Sequence, residues 1–166
     1  MLTHNKLAIL GAAGLLLSAL PALAVPDPPL KPTDALIYNS GSTNSRGYTI
    51  YLSPQGIVTF SKVHGPVMST NVPFYGPYSG AAIKAQARTF FHDLAAAGPL
   101  SSLPVHHGMR SVSFGTSTTI HYKGQSSPDL TSGGDPRVVA LRNDIQVIAR
   151  TLHLGGLNRP FTRINR

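Results

Sequence analysis

The chain contains no cysteine and no glutamate. Without cysteine no disulfide supports the fold, so stability comes from packing alone. Without glutamate the commonest carboxylate general acid and a frequent metal ligand are missing. The six acids are all aspartates. Asp93, Asp129, Asp135 and Asp144 are dispersed along the chain, and Asp135 already stands where a helix cap is needed. There is no G-x-S-x-G nucleophile elbow, no H-E-x-x-H, no phosphate loop and no helix with paired carboxylates. These absences leave no recognised catalytic residue, metal ligand set or cofactor. A Ser-His-Asp site remains formally open only because serines are many.

Acid is scarce against 14 Lys and Arg, for a net charge of +8 at pH 7, or +7 once Lys6 leaves with a leader peptide. Such a charge attracts anionic partners, among them lipid headgroups, wall polymers and acidic proteins. The cations are scattered, with no run of five, so a basic but ordinary surface is the plainer reading and no nucleic-acid partner is expected.

The leader is legible in residues 1–24. A short polar start with His4 and Lys6 precedes the apolar run Leu7 to Leu20, and Ala22-Leu23-Ala24 supplies small residues for cleavage after Ala24. The run is short against the roughly 20 residues that span a bilayer, so no stable membrane insertion after cleavage is expected. No cysteine follows it to carry a lipid anchor, and no arginine pair precedes it. The protein is therefore expected in the periplasm or outside the cell. Residues 25–33, with four prolines, read as a stiff linker. Residues 34–154 read as one α+β domain and residues 155–166 as a basic tail.

Within the domain, Tyr48 to Lys62 is the organising stretch. Ser53-Pro54-Gln55-Gly56 has turn chemistry, with φ preset by Pro54 and positive φ available to Gly56. A bulge at Gly56 places Leu52 opposite Val58, Ile50 opposite Phe60 and Tyr48 opposite Lys62. Ile50, Leu52, Val58 and Phe60 then share one face, and Thr49, Tyr51, Thr59 and Ser61 the other. The unbulged register mixes both faces, and a slip is costly when one face is buried. Asp34 to Ser40 predicts a preceding strand. Arg110 to Phe114 and Thr118 to Lys123 predict a later hairpin that pairs Val112 with Ile120.

Ile83, Ala87, Phe90 and Leu94 recur at helical spacing over Gly80 to Ala97, with Ser79 as N-cap and Gly98-Pro99 as stop. Val138, Leu141, Ile145, Ile148 and Leu152 form the stripe of a second helix. It is opened by Asp135-Pro136 and closed at Gly155-Gly156. The predicted fold is an antiparallel sheet of about five strands, in the order β-β-β-α-β-β-α, with both helices on one face. Gly124 to Gly134 reads as loop.

The loop from His64 to Tyr78 is long for a compact domain and carries Phe74, Tyr75 and Tyr78 among prolines and glycines. Three rings in a stiff loop suit a recognition surface. Sealing the sheet edge or the first turn of the helix is the plainer use of the same rings. His106 and His107, with His64, His92 and His121 as partners, are the most metal-like residues. Adjacent residues of an extended chain point apart, so ordinary loop histidines are the expectation. Gly41 to Gly47, with Arg46, offers backbone amides for a phosphate but leads into a strand and lacks a helix dipole.

Ser111-Val-Ser-Phe-Gly-Thr-Ser117 and Gly124-Gln-Ser-Ser-Pro-Asp-Leu130, followed by the Asp135-Pro136 helix, resemble a group of small exported bacterial proteins of uncharacterised role. More distantly, the strand and Gly/Ser loop over Ile37 to Gly47, a leucine-containing helix and a late hairpin resemble emfourin-type inhibitors of metalloproteases. Gly41-Ser42 stands where those proteins carry Gly-Gly, and no functional residue is carried over. The resemblance implies a protein partner such as a protease. The residues themselves point to a non-catalytic binding module for a protein or an envelope polymer. The alternatives are a hydrolase built on an unrecognised Ser/His/Asp site, or adhesion to anionic surfaces through net charge.

Overall fold

The computed structural model of the chain describes residues 30–42, 45–63, 73–106 and 115–154. The leader, most of the proline-rich linker and the basic tail lie outside these residues. So do residues 64–72, His107 and the expected strand over 110–114 with Val112.

The central hairpin forms in the bulged register. β2 (Gly47–Leu52) and β3 (Ile57–Val63) are antiparallel, with Leu52 opposite Val58, Ile50 opposite Phe60 and Tyr48 opposite Lys62. The Gly56 N–H donates to Ser53 O and the Ser53 N–H to Ile57 O, each at 2.9 Å, which closes the turn. Gly56 holds φ at 73°, where a side chain is strained. Ile50, Leu52 and Val58 are fully buried and Phe60 nearly so.

Around this hairpin the sheet grows to six antiparallel strands in the order β4-β3-β2-β1-β5-β6. β1 (Ala35–Asn39) pairs with β2, and on its other side with β5 (Thr118–Tyr122), bringing Ile37 beside Ile120. Two stretches expected as loop are strands. Phe74–Ser79 is β4, the edge strand beside β3, and Gln125–Ser126 is a two-residue β6 turned back on β5. Neither has the alternation of a half-buried strand, because an edge strand is exposed on several sides and needs only backbone pairing to form. After β6 the chain keeps to the side of β5: Ser127 N–H donates to Ile120 O and Leu130 N–H to Thr118 O, both at 2.8 Å. This buries Leu130 completely.

Both helices cover one face of the sheet. α1 (Ala81–Ala97) buries Ile83, Ala87, Phe90 and Leu94. Its N-cap is Gly80 and not Ser79, which is the last residue of β4, and no side chain caps it. Gly98, with φ 73°, ends it. The contacts of α1 move from the turn at Gly56, beneath Lys84, to the far side of the sheet. There the Phe91 ring lies 5.7 Å from Tyr122 and Gln125 Oε1 accepts from the Leu100 N–H. α2 (Pro136–Thr151) is capped by Asp135, whose carboxylate accepts from the Arg137 N–H at 2.9 Å. It buries Val138, Leu141, Ile145 and Ile148. It stops at Thr151, ahead of the expected Gly155-Gly156, because His153 takes φ 54° and Leu154 N–H returns to Ala149 O.

The helices run antiparallel, with Gln86 donating to Thr151 Oγ1 at 2.8 Å and the Asp93 carboxyl meeting that of Asp144. Burial, then the neighbouring Asp93, pushes the Asp144 carboxyl up to about 6. Full burial of an Ile, Leu or Phe side chain stabilises by about 1.5–3 kcal/mol, so the face between sheet and helices carries most of the favourable energy.

Candidate functional site

β4 brings Phe74, Tyr75 and Tyr78 into the sheet, and the structure separates them. Phe74 lies opposite Ser61, and its ring meets Tyr51 edge-on at 5.5 Å. That places Phe74 on the face away from the helices. Tyr75 lies opposite Phe60 and Tyr78 opposite Val58, so both belong to the helix-bearing face. Strict alternation would put residues three apart on opposite faces. One extra residue in β4, between the pairs Val58–Tyr78 and Phe60–Tyr75, reverses this. Gly76 makes the bulge possible. Its φ is 125°, and a Cβ there would lie 2.8 Å from Val58 O. The following Gly76–Pro77 peptide is cis.

The outcome is a ring stack at the margin of the sheet. Phe60 sits between Tyr75, with centroids 5.6 Å apart, and Tyr78, 5.8 Å away and inclined by 28°. Tyr75 is half-buried against the core, whereas Tyr78 is 42% exposed. Tyr75 thus does the sealing and Tyr78 presents a ring and hydroxyl to solvent. The Gly-Pro pair between the rings was the available signal for the bulge. It reads as a loop breaker as long as the neighbouring strand is unknown. Pro77 also removes a backbone donor from an edge strand, which favours recognition through side chains over strand addition.

At the opposite edge, Ser126 Oγ lies 2.7 Å from His121 Nδ1 across the β5–β6 pair. Both line a cleft of about 390 Å³ with Asp34, Lys31, Tyr122 and Lys123. Serine and histidine in contact are two parts of a nucleophilic site. The third part is not in place, since among the described residues His121 bonds only Ser126. Elsewhere the exposed His92 meets Asp93 through Nδ1 at 2.9 Å on α1, and His106 is exposed. Among the described residues no group of three His, Cys, Asp or Glu is placed to hold a metal ion. None of the described helices is long and apolar enough to cross a membrane.

Among the described residues of the Gly41 to Gly47 turn, the amides of Gly41, Ser42 and Ser45 are bonded locally. Gly41 N–H donates to Asn39 Oδ1 at 2.9 Å, and Ser42 and Ser45 exchange backbone bonds. A Cβ on Gly41 would lie 2.3 Å from Gly47 N, so the two ends of the turn are in contact. Comparison with family models, with curated proteins and with solved structures finds no match. The site is therefore read from its own geometry.

Proposed function

We propose that this chain is an exported, non-catalytic binding module that grips its partner through the aromatic margin of the sheet. The observation that carries the reading is Tyr78, stacked on Phe60 yet 42% exposed on an edge strand. A ring held in place by a neighbouring ring loses little freedom when a partner covers it, and tyrosine gives apolar area with a polar end. The partner is a protein surface, a protease being the class that the resemblance to metalloprotease inhibitors suggests, or an envelope polymer.

Capture from the native envelope fraction, read by mass spectrometry, tests this. Wild-type protein is expected to retain a partner that Tyr78→Ser loses. Equal capture by both would sink the reading.

The Ser126–His121 contact supports a second reading, a hydrolase. Turnover of activated esters that disappears in both Ser126→Ala and His121→Ala would replace the binding module with it. Hydrolysis at buffer background leaves the contact as a cross-strand hydrogen bond.

A further inference from the structure

A second cleft, of about 240 Å³, opens where the last turns of α2 pass over the ends of β1 and β2. Arg46, Tyr48, Gln146 and Arg150 line it, together with Asn39 and Thr116. Tyr48 is 5% exposed, and its hydroxyl makes no hydrogen bond with any described residue. The hydroxyl is not among the enclosed side-chain atoms that lack a partner, so, without a hydrogen bond of its own, it opens into the cleft and can donate there. The side chains of Gln146 and Arg150 likewise make none with described residues. Asn39 is already spent, donating to Thr118 Oγ1 at 2.8 Å and accepting from the Gly41 N–H.

The donors facing the cleft are of one kind. Two arginines, a phenol and a carboxamide line it, and among the described residues no carboxylate does. Guanidinium groups bind planar or tetrahedral oxyanions through paired N–H donors, and a phenol adds a directed O–H. Burial pushes the Tyr48 hydroxyl up to about 12, so it keeps its proton and can donate at any physiological pH. The C-terminal carbonyls of α2 would repel an anion if bare. Three of them are occupied: Ile148 O by Leu152 N–H, Arg150 O by His153 N–H and Ala149 O by Leu154 N–H.

We infer that this cleft binds the carboxylate or phosphate group of a small organic anion, with Arg46 and Arg150 supplying charge and the Tyr48 hydroxyl donating to an anion oxygen. At about 30 Å³ of liquid volume per water, the space holds on the order of eight waters, room for a small organic anion. The inference is independent of the aromatic margin, since Tyr75 and Tyr78 lie at the β4 edge and not among the residues of this cleft.

The test is titration of the isotope-labelled protein with succinate and, separately, with inorganic phosphate, at ionic strength held constant with sodium chloride. Amide resonances of Tyr48, Gln146 and Arg150 are expected to shift saturably with one probe or both. Saturation by succinate alone assigns the carboxylate, and saturation by phosphate alone the phosphoryl group. Arg150→Gln, at an exposed helix position, and Tyr48→Phe, which keeps the ring, are each expected to weaken binding at least fivefold. Absence of saturation with both probes overturns the site. So does binding that survives unchanged in both variants.

Discussion

Gly56 lies directly beneath Lys84: a Cβ on Gly56 would come within 2.6 Å of Lys84 Cα. One residue thus meets two demands, a left-handed turn and the close approach of the first helix to the hairpin. Gly56→Ala is expected to lower stability by about 2–4 kcal/mol in urea unfolding, through strained φ and displacement of helix backbone. Gly80, the uncapped helix start, has open space around it and an extended φ of −162°. Gly80→Ser should supply the missing cap and gain a few tenths of a kcal/mol, roughly. Similar losses in the two variants would contradict this account of Gly56.

Ile145 and Thr59 mark the two sides of the sheet. Ile145 is 2% exposed between α2 and the sheet, and Thr59 is half-buried on the face away from the helices. Ile145→Ala is expected to cost about 2–5 kcal/mol and Thr59→Ala less than about 1. Matching midpoints in a urea titration would refute the facial assignment.

Tyr75 and Tyr78 flank the same ring but differ in exposure, and their variants should separate accordingly. Tyr75→Ser removes a ring packed on the core and should cost about 1.5–3 kcal/mol. Tyr78→Ser should leave the melting temperature nearly unchanged while abolishing partner capture. A large drop in melting temperature for Tyr78→Ser would make that ring a seal and remove it from the proposed binding surface.

The meeting of Asp144 with Asp93 makes stability depend on pH. The folded protein holds the Asp144 carboxyl up at about 6, above its ordinary 3.8, first through burial and then through the second carboxyl. A raised acid binds more protons in the folded state than in the unfolded one. Its stabilising contribution is therefore complete at low pH and is lost as pH rises from about 4 to about 6. Solvent screening of this partly exposed group brings the expected size to on the order of 1 kcal/mol. Asp144→Asn should flatten that part of the profile and raise stability at pH 7. An unchanged slope between pH 4 and 6 in chemical denaturation would rule the pair out as its source.

The central hairpin was legible because its information is local. Proline and glycine set the turn, and only one register gathers Ile50, Leu52, Val58 and Phe60 on one side. The helices were legible for a similar reason, a three-and-four apolar stripe with Asp135-Pro136 at one start and Gly98 at one stop. Even there the first cap was misplaced by one residue, since Ser79 satisfies either a cap or a strand end and pairing with Ile57 decided which.

The candidate site was legible only as composition. Phe74, Tyr75 and Tyr78 stand out in the chain, but which face each ring takes depends on a bulge that exists only once β4 lies beside β3. Leu130 reads as loop until backbone bonds carry it alongside β5, and Asn39 meets Thr118 across 79 positions of chain. The sequence by itself determined which residues form the sheet face and the helix stripes, because turn chemistry and side-chain period act over a few residues. Tertiary structure alone decided that Tyr75 and Tyr78 share a ring stack, that Asp93 faces Asp144, and that Tyr48 opens onto a basic cleft. Each of these is a contact between segments distant in the chain, where packing of the whole domain, and not local preference, selects the partner.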